Sequence, residues 1–169
     1  NDVTGEEFVL ARRLGAYINL DDITHVDTLA QNGGVPDTVC LRFNPGGTFR
    51  IGNAIMGDPG DAKYGMTREQ LSQALLRLRD LGAARFGLHA FLSSNTTDPA
   101  YYPALARLLF QTGRELMDES GMPLAFVNLS GGIGIPYRPD QPETDIRAVG
   151  EGVAREYRRA FSENGIRGV

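Results

Sequence analysis

Three short stretches carry residue types and spacings that could do chemistry. The first is Asn128-Leu129-Ser130-Gly131-Gly132-Ile133-Gly134. Small residues in such a run let backbone N–H groups come close to an anion, as in phosphate-binding nests. The same run also suits a tight turn that needs positive φ. It is not a dinucleotide fingerprint, because the glycine spacing is wrong and Ile135-Pro136-Tyr137 follows where a helix should open. It is not a P-loop either, since no Gly-Lys-Ser/Thr follows. The second stretch is Gly87-Leu88-His89-Ala90-Phe91-Leu92-Ser93-Ser94-Asn95. Side chains two apart on a strand point the same way, so His89 and Phe91 share a face, and either ring could stack on a planar ligand. Ser94 or Asn95 could then donate to an anion. The alternative is a core histidine beside a core phenylalanine. His89 with Ser93 or Ser94 is too close in sequence for a nucleophile–base triad, and no G-x-S-x-G is present.

The third stretch is Leu41-Arg42-Phe43-Asn44-Pro45. A buried arginine needs an acceptor, which for Arg42 is either a ligand oxygen or Asp21 on the neighbouring strand. Lys63-Tyr64-Gly65 could bring a cation to the same end, or merely cap a surface loop. His25 and Cys40 read as structural.

Composition bounds what these stretches can serve. The chain has 169 residues with 41% hydrophobic and 22% charged side chains, and is expected to form one domain. A chain of this size buries roughly 70% of its unfolded surface, enough for a core without staples. A single cysteine excludes an intrachain disulfide, and two histidines leave little for a metal site; none is expected. The net charge of −4 argues against a nucleic-acid partner. No apolar run reaches the ~18 residues of a membrane span, and no basic-then-apolar leader opens the chain, so a reducing, cytoplasmic setting is expected. The seventeen cations are sixteen arginines and one lysine, Lys63.

The elements that must position these stretches alternate. Thr4 and Glu7 form a capping box that starts a helix ending at Gly15. A strand is expected at 16–21, then a helix capped by Asp22 and broken at Gly33-Gly34. A strand at 38–43 leads into a long loop, 44–66, of a length usually tied to function or mobility. A second capping box, Thr67 to Gln70, opens a helix to Leu81. A strand at 85–91 precedes a long helix with Asp98 as N-cap and Pro99 at its first position. A strand at 124–129, a glycine- and proline-rich loop at 130–143 and a helix at 145–162 follow. The residues 165–169 look like the lead-in to a further strand.

Strands alternating with helices imply right-handed crossovers and a parallel sheet. Each strand pairs an apolar face with one that turns polar toward its C-terminal end. Ala16, Ile18 and Leu20 oppose Tyr17, Asn19 and Asp21. Val39, Leu41 and Phe43 oppose Thr38, Cys40 and Arg42. Phe86, Leu88 and Ala90 oppose Gly87, His89 and Phe91. Ala125, Val127 and Leu129 oppose Phe126 and Asn128. A doubly wound sheet reads apolar on both faces. A barrel carries helices outside and polar groups at its C-terminal mouth. The pattern predicts α/β architecture as a partial (β/α)8 barrel, because four strands cannot close one and the complete fold takes ~250 residues.

Taken together, these segments resemble the barrel domain of the fold-type III, pyridoxal-phosphate-dependent decarboxylases, most closely the diaminopimelate decarboxylases. Gly87-Leu88-His89-Ala90-Phe91-Leu92-Ser93-Ser94 matches the family's G-x-H-x-H-x-G-S strand end. Asn128-Leu129-Ser130-Gly131-Gly132 matches its glycine triplet, Leu41-Arg42-Phe43-Asn44-Pro45 its Leu-Arg-x-Asn-Pro strand, and Lys63-Tyr64-Gly65 its Lys-Phe-Gly segment. The order and spacing fit over essentially all of the chain, which the resemblance places at barrel strands 4–7 of the alanine-racemase-like domain. Three positions depart from the family: Phe91 stands where its ring-stacking histidine is, Ser93 where its glycine precedes the serine, and Ser130 where its first triplet glycine is.

The resemblance implies a site built from Arg42, His89, Phe91, Ser94, Ser130, Gly131 and Gly132. Ser94 and the backbone of Ser130, Gly131 and Gly132 would hold the phosphate of pyridoxal 5′-phosphate. Arg42 would lie near the ring hydroxyl, and His89 or Phe91 would cover the ring. It implies decarboxylation of meso-2,6-diaminopimelate to L-lysine and CO2 by a cytoplasmic homodimer. The alternatives are a decarboxylase of the ornithine, arginine or carboxynorspermidine type, or a non-catalytic α/β phosphate-binding module. The family's Schiff-base lysine matches a position upstream of Asn1, and its C-terminal β-domain lies beyond Val169. This polypeptide alone is therefore expected neither to take the cofactor onto a lysine nor to decarboxylate. A borohydride-trapped adduct on Lys63, with turnover, would overturn that.

Overall fold

The computed structural model describes residues 3–46, 49, 64–141, 143–166 and 168–169. Five helices and four strands alternate: α1 (Gly5–Arg13), β1 (Ile18–Leu20), α2 (His25–Asn32), β2 (Thr38–Arg42), α3 (Arg68–Asp80), β3 (Arg85–His89), α4 (Tyr101–Ser120), β4 (Leu124–Asn128) and α5 (Ile146–Ala160). The strands form one parallel sheet in the order β1-β2-β3-β4. The order never reverses, and each helix packs on the next one along the chain. That is single winding, with the helices on one side of the sheet.

The local signals explain where the elements start. Both capping boxes form: the Thr4 and Thr67 side chains accept from the backbone N–H of Glu7 and Gln70, whose side chains reach back. Two other starts differ from expectation. Asp22 does not cap α2; its Oδ1 instead accepts from the Thr24 backbone and hydroxyl, winding an extra turn before the helix. Asp98 likewise accepts from Ala100 N–H at 2.8 Å, so α4 opens at Tyr101, three residues past Asp98. In both cases an Asx-type turn outcompetes the cap. The ladders are shorter than the sequence predicts, ending at Leu20, Arg42, His89 and Asn128. The described residues of 165–169 join no ladder; Tyr157 Oη donates to the Val169 carbonyl there instead.

The core lies between the sheet and the helices. Ile18, Leu20, Val39, Leu41, Phe86 and Leu88 alternate onto that side and are buried. They meet Leu71, Ala74, Leu75 and Leu78, whose spacing makes one apolar stripe along α3. β4 breaks strict alternation. A bulge pairs Phe86 with Leu124 but Gly87 with Phe126, so Ala125 is the extra residue. Leu124 therefore joins Val127 on the helix side, and its Cδ2 lies 2.7 Å from where a Cβ on Gly113 of α4 would sit. Ala125, expected beside Val127, lines the opposite face with Tyr17, Thr38, Arg85 and Phe126.

That opposite face is concave. Four strands at ~4.8 Å spacing place β1 and β4 about 14 Å apart in a flat sheet. Yet the rings of Tyr17, just before β1, and Phe126, on β4, meet edge-on with centroids 5.2 Å apart. Gly87 between them leaves room, since a Cβ there would fall 2.4 Å from the Phe126 ring. The sheet curves as a sector of a barrel, with its polar strand ends on the inside.

Between α4 and α5 a buried carboxylate acts as a strap. Glu156 is 7% exposed and takes two bonds from Arg107, at 3.0 and 2.9 Å. Those bonds hold its carboxyl below the usual carboxylate range. The helices approach closely because Gly152 faces the Pro103 ring, where a Cβ would sit 2.4 Å from Cγ, whereas nothing lies within 4 Å of a Cβ on Gly150. The two glycines should therefore respond oppositely to alanine. Gly150→Ala should stabilise by about 1 kcal/mol through helix propensity. Gly152→Ala should destabilise by about 1–3 kcal/mol through overpacking. Urea unfolding of the two variants against the parent checks the signs.

Candidate functional site

The C-terminal ends of the strands converge on one level of the concave face. The ladder places Arg42 opposite His89, and His89 opposite Asn128. Asp21 follows β1 at the same end. Arg42 donates to Asp21 Oδ1 at 2.9 Å and to the Phe91 carbonyl at 3.4 Å. Each partner of the ion pair is only 12% exposed. Tyr64 lies under the guanidinium, its ring centroid 5.4 Å from Cζ. The acceptor for Arg42 is thus Asp21. A pair this enclosed is costly to break, because removing one partner strands the other's charge. The Asp21 carboxylate has one oxygen to spare: Oδ2 is buried and without a partner.

His89 is tied to the glycine turn. Its Nε2 lies 2.8 Å from Ser130 Oγ, and Ser130 Oγ donates to the Ala90 carbonyl at 3.0 Å. Burial and the nearby Arg42 charge push the imidazole pKa down, against a smaller upward pull from Asp21. His89 Nδ1 is buried without a partner. Two buried polar atoms without a partner, Asp21 Oδ2 and His89 Nδ1, thus lie at this strand end.

The glycine turn is built by two side chains and by the backbone of the loop after β3. Asn128 Oδ1 accepts the Ser130 N–H at 2.8 Å. Tyr102 Oη, from α4, donates to the Gly131 carbonyl at 2.8 Å. Thr96 N–H donates to the Gly132 carbonyl at 3.0 Å, and Gly134 N–H returns to the Thr96 carbonyl at 2.7 Å. A trans peptide points its N–H opposite to its C=O. Pinning these two carbonyls therefore aims the Gly132 and Ile133 N–H groups away from Tyr102 and Thr96. The turn is held open from behind, as an anion nest requires.

The glycines separate into two kinds. Gly132 has φ +94, and a Cβ there would meet the Ser93 carbonyl at 2.6 Å and the Phe91 ring at 3.4 Å. Protein neighbours alone demand glycine at that position. A Cβ on Gly131 would meet nothing within 4 Å. Among the described residues no contact demands glycine there. Ser93 is buried at 1% exposure under the turn, with Ser94 beside it. Phe91 sits one step nearer the mouth than His89, with its ring edge at Gly132.

The residues singled out from sequence fall into two groups. Arg42, His89, Phe91, Ser94, Ser130, Gly131 and Gly132 come together at this end. His25 opens α2, with its ring edge-on to Phe8 at 6.1 Å. Cys40 is buried mid-strand, its thiol pushed up to about 12 by burial. Lys63 and most of the long loop lie outside the described residues. Asp21 was one of the two acceptors expected for Arg42; Tyr102, Thr96 and the Asn128 side chain were not anticipated as site builders. Of these three, only Asn128 carried a signal, the Asn128-x-Ser130 spacing that suits an Asx turn. Among the described residues no group of three or more His, Cys, Asp or Glu could hold a metal ion, and no helix is long and apolar enough to cross a membrane.

The depressed imidazole has a thermodynamic consequence. Between the folded pKa and the ordinary 6.5, the unfolded chain binds more protons than the folded one, so stability rises with pH there. The contribution is fully present above 6.5 and is lost as pH falls from there through the folded pKa. Urea midpoints at pH 7.5 and 5.5 should therefore drop more in the parent than in His89→Asn.

The model of the pyridoxal-dependent decarboxylase family, pyridoxal binding domain, matches residues 9–168 of the chain. Protein TabA of Pseudomonas amygdali pv. tabaci is 28% identical over 164 residues, covering 97% of this chain and 38% of the relative. The diaminopimelate decarboxylase of Thermoplasma acidophilum is 27% identical over 161 residues, covering 94% of this chain and 39% of the relative. The chain thus spans under two-fifths of the length of these relatives. The crystal structure of diaminopimelate decarboxylase from M. jannaschii in co-complex with L-lysine shares the fold. It has a TM-score of 0.79 at 20% identity, covering 96% of this chain and 38% of that one. With a single-wound, curved sheet and a glycine turn at its mouth, the chain belongs to the pyridoxal-dependent decarboxylases, as a segment of their pyridoxal-binding barrel domain.

Proposed function

We propose that this segment supplies part of the cofactor cradle of an amino-acid decarboxylase that converts meso-2,6-diaminopimelate to L-lysine and CO2. The observation that carries the reading is the Gly131–Gly132 turn, pinned from behind by Tyr102 and Thr96 beside two unpartnered buried polar atoms. The residues present fit pyridoxal 5′-phosphate. Gly132 and Ile133 offer N–H groups to its phosphate across the bare Gly131, with Ser94 alongside; the Ser130 N–H is held by Asn128. Arg42, fixed by Asp21, sets a cation beside the ring. We take Phe91, whose ring edge reaches Gly132, as the ring that covers the cofactor face, with His89 Nε2 tied to Ser130 beside it. When bound, the cofactor's pyridine ring takes up the electron pair released as the carboxylate leaves as CO2. The chain's own part is to bind, orient and exclude water.

Diaminopimelate as substrate is supported by the similarity to decarboxylases of that name. A second substrate within the same chemistry, of the ornithine, arginine or carboxynorspermidine type, stays open, since an L-glutamyl-[BtrI acyl-carrier protein] decarboxylase is also similar and an arginine decarboxylase shares the fold. A self-contained phosphate-binding module fits less well. Among the described residues β1 and β4 each pair on one side only, and a finished domain covers such edges. A cytoplasmic homodimer completes the reading.

Titration of the chain with pyridoxal 5′-phosphate, followed by absorbance, tests the cradle. Gly131→Ala should fold as the parent does and bind about tenfold more weakly, because the added Cβ holds the phosphate off the neighbouring N–H groups. Gly132→Ala should lose about 1–3 kcal/mol of stability in urea, from backbone strain. Equal affinity in parent and Gly131→Ala would remove the cradle. Release of CO2 from diaminopimelate, against ornithine and arginine, by the complete polypeptide that carries this segment decides the substrate.

A further inference from the structure

Three hydrogen bonds meet on Ser130. Its N–H goes to Asn128 Oδ1, its hydroxyl goes to the Ala90 carbonyl, and His89 Nε2 lies 2.8 Å from its Oγ. A hydroxyl has one proton to give, and a carbonyl can only accept. The Ser130 proton is therefore spent on Ala90, and the contact with His89 must be donated by Nε2–H. A neutral imidazole carries one N–H, so Nδ1 is left bare. That atom is buried without a partner, on the level where Arg42 and Asp21 also end their strands. The same chemistry excludes His89 as a base toward Ser130, since the nitrogen facing Oγ already holds a proton.

Ser130 achieves this in an unfavourable conformation. Its φ is +63, a left-handed backbone that L side chains seldom adopt. Such strain persists only where surrounding contacts over-determine it, and it concentrates at functional sites. Glycine would sit there without strain, yet could make neither hydroxyl bond.

We propose that Ser130 is a positioning residue: it holds the proton on His89 Nε2 and so presents Nδ1 as a standing acceptor for a hydroxyl or ammonium donor of the molecule bound at these strand ends. The ligand half of this proposal rests on the cofactor reading above. The proton half does not.

The sequence holds two histidines, so 15N-labelled imidazoles give two ring systems, with His25 as internal control. In the parent, His89 should show bare Nδ1 and a slowly exchanging Nε2 proton. In Ser130→Gly and Ser130→Ala that proton should exchange at least about tenfold faster, as loss of one hydrogen bond implies, with His25 unchanged. Ser130→Gly should unfold at a temperature no lower than Ser130→Ala, because glycine accepts the backbone. Both should bind pyridoxal 5′-phosphate about tenfold more weakly than the parent. A proton on His89 Nδ1 in the parent overturns the lock. Parent-like affinity in Ser130→Gly, despite a released proton, overturns the positioning role while leaving the cradle standing. Absence of binding in the parent removes the cofactor reading and the ligand half together, while the imidazole spectrum still decides the lock.

Discussion

Parallel pairing in register is the constraint on which the mouth of this sheet depends. Arg42, His89 and Asn128 sit on three successive strands, and each can reach the site only if the two ladders between them end on the same level. A slip of one residue would turn any of them toward the helices. The bulge at Ala125 is part of that register. Without the extra residue, Leu124 and Phe126 would both fall on the face they now divide, and Asn128 would lose its place opposite His89. One irregular residue thus keeps Leu124 in the core and Asn128 at the glycine turn.

The second constraint is the way polar groups at the mouth satisfy one another. Asp21 neutralises Arg42, Asn128 and His89 hold Ser130, and Tyr102 and Thr96 hold the glycine carbonyls. Buried polar groups are costly unless paired. A network this complete makes the two exceptions, Asp21 Oδ2 and His89 Nδ1, meaningful as a pair. Both lie at the strand ends that the glycine turn closes, and the proton arrangement proposed for Ser130 makes both acceptors. The turn in turn depends on α4, because Tyr102 reaches it from that helix's first turn, and α4 is anchored to α5 through Glu156 and the Gly152–Pro103 contact.

Two glycines in one motif illustrate how structure changes a motif's meaning. Gly131 and Gly132 are equivalent letters in a phosphate-nest pattern. Gly132 is needed because the loop after β3 presses on it, which any fold with this loop pairing would require. Gly131 has no such reason. The motif is therefore half architecture and half candidate function, and only the positions of the neighbouring atoms separate the halves.

The amino-acid sequence by itself determined the element order, both capping boxes, the parallel alternation and the inward faces of the first three strands. These follow from spacing within a few residues, where propensity, capping and side-chain alternation act. It also brought Arg42, His89, Phe91, Ser94 and Ser130–Gly132 to notice as strand-end residues of one family pattern. Tertiary structure decided the rest. The choice of Asp21 as the partner of Arg42, the bond between His89 and Ser130, the reach of Tyr102 and the bulge in β4 join residues 20 to 50 positions apart or break a local rule for the sake of packing. Such contacts are set by which side chains the curved sheet brings within hydrogen-bond distance. No spacing along the chain encodes that distance.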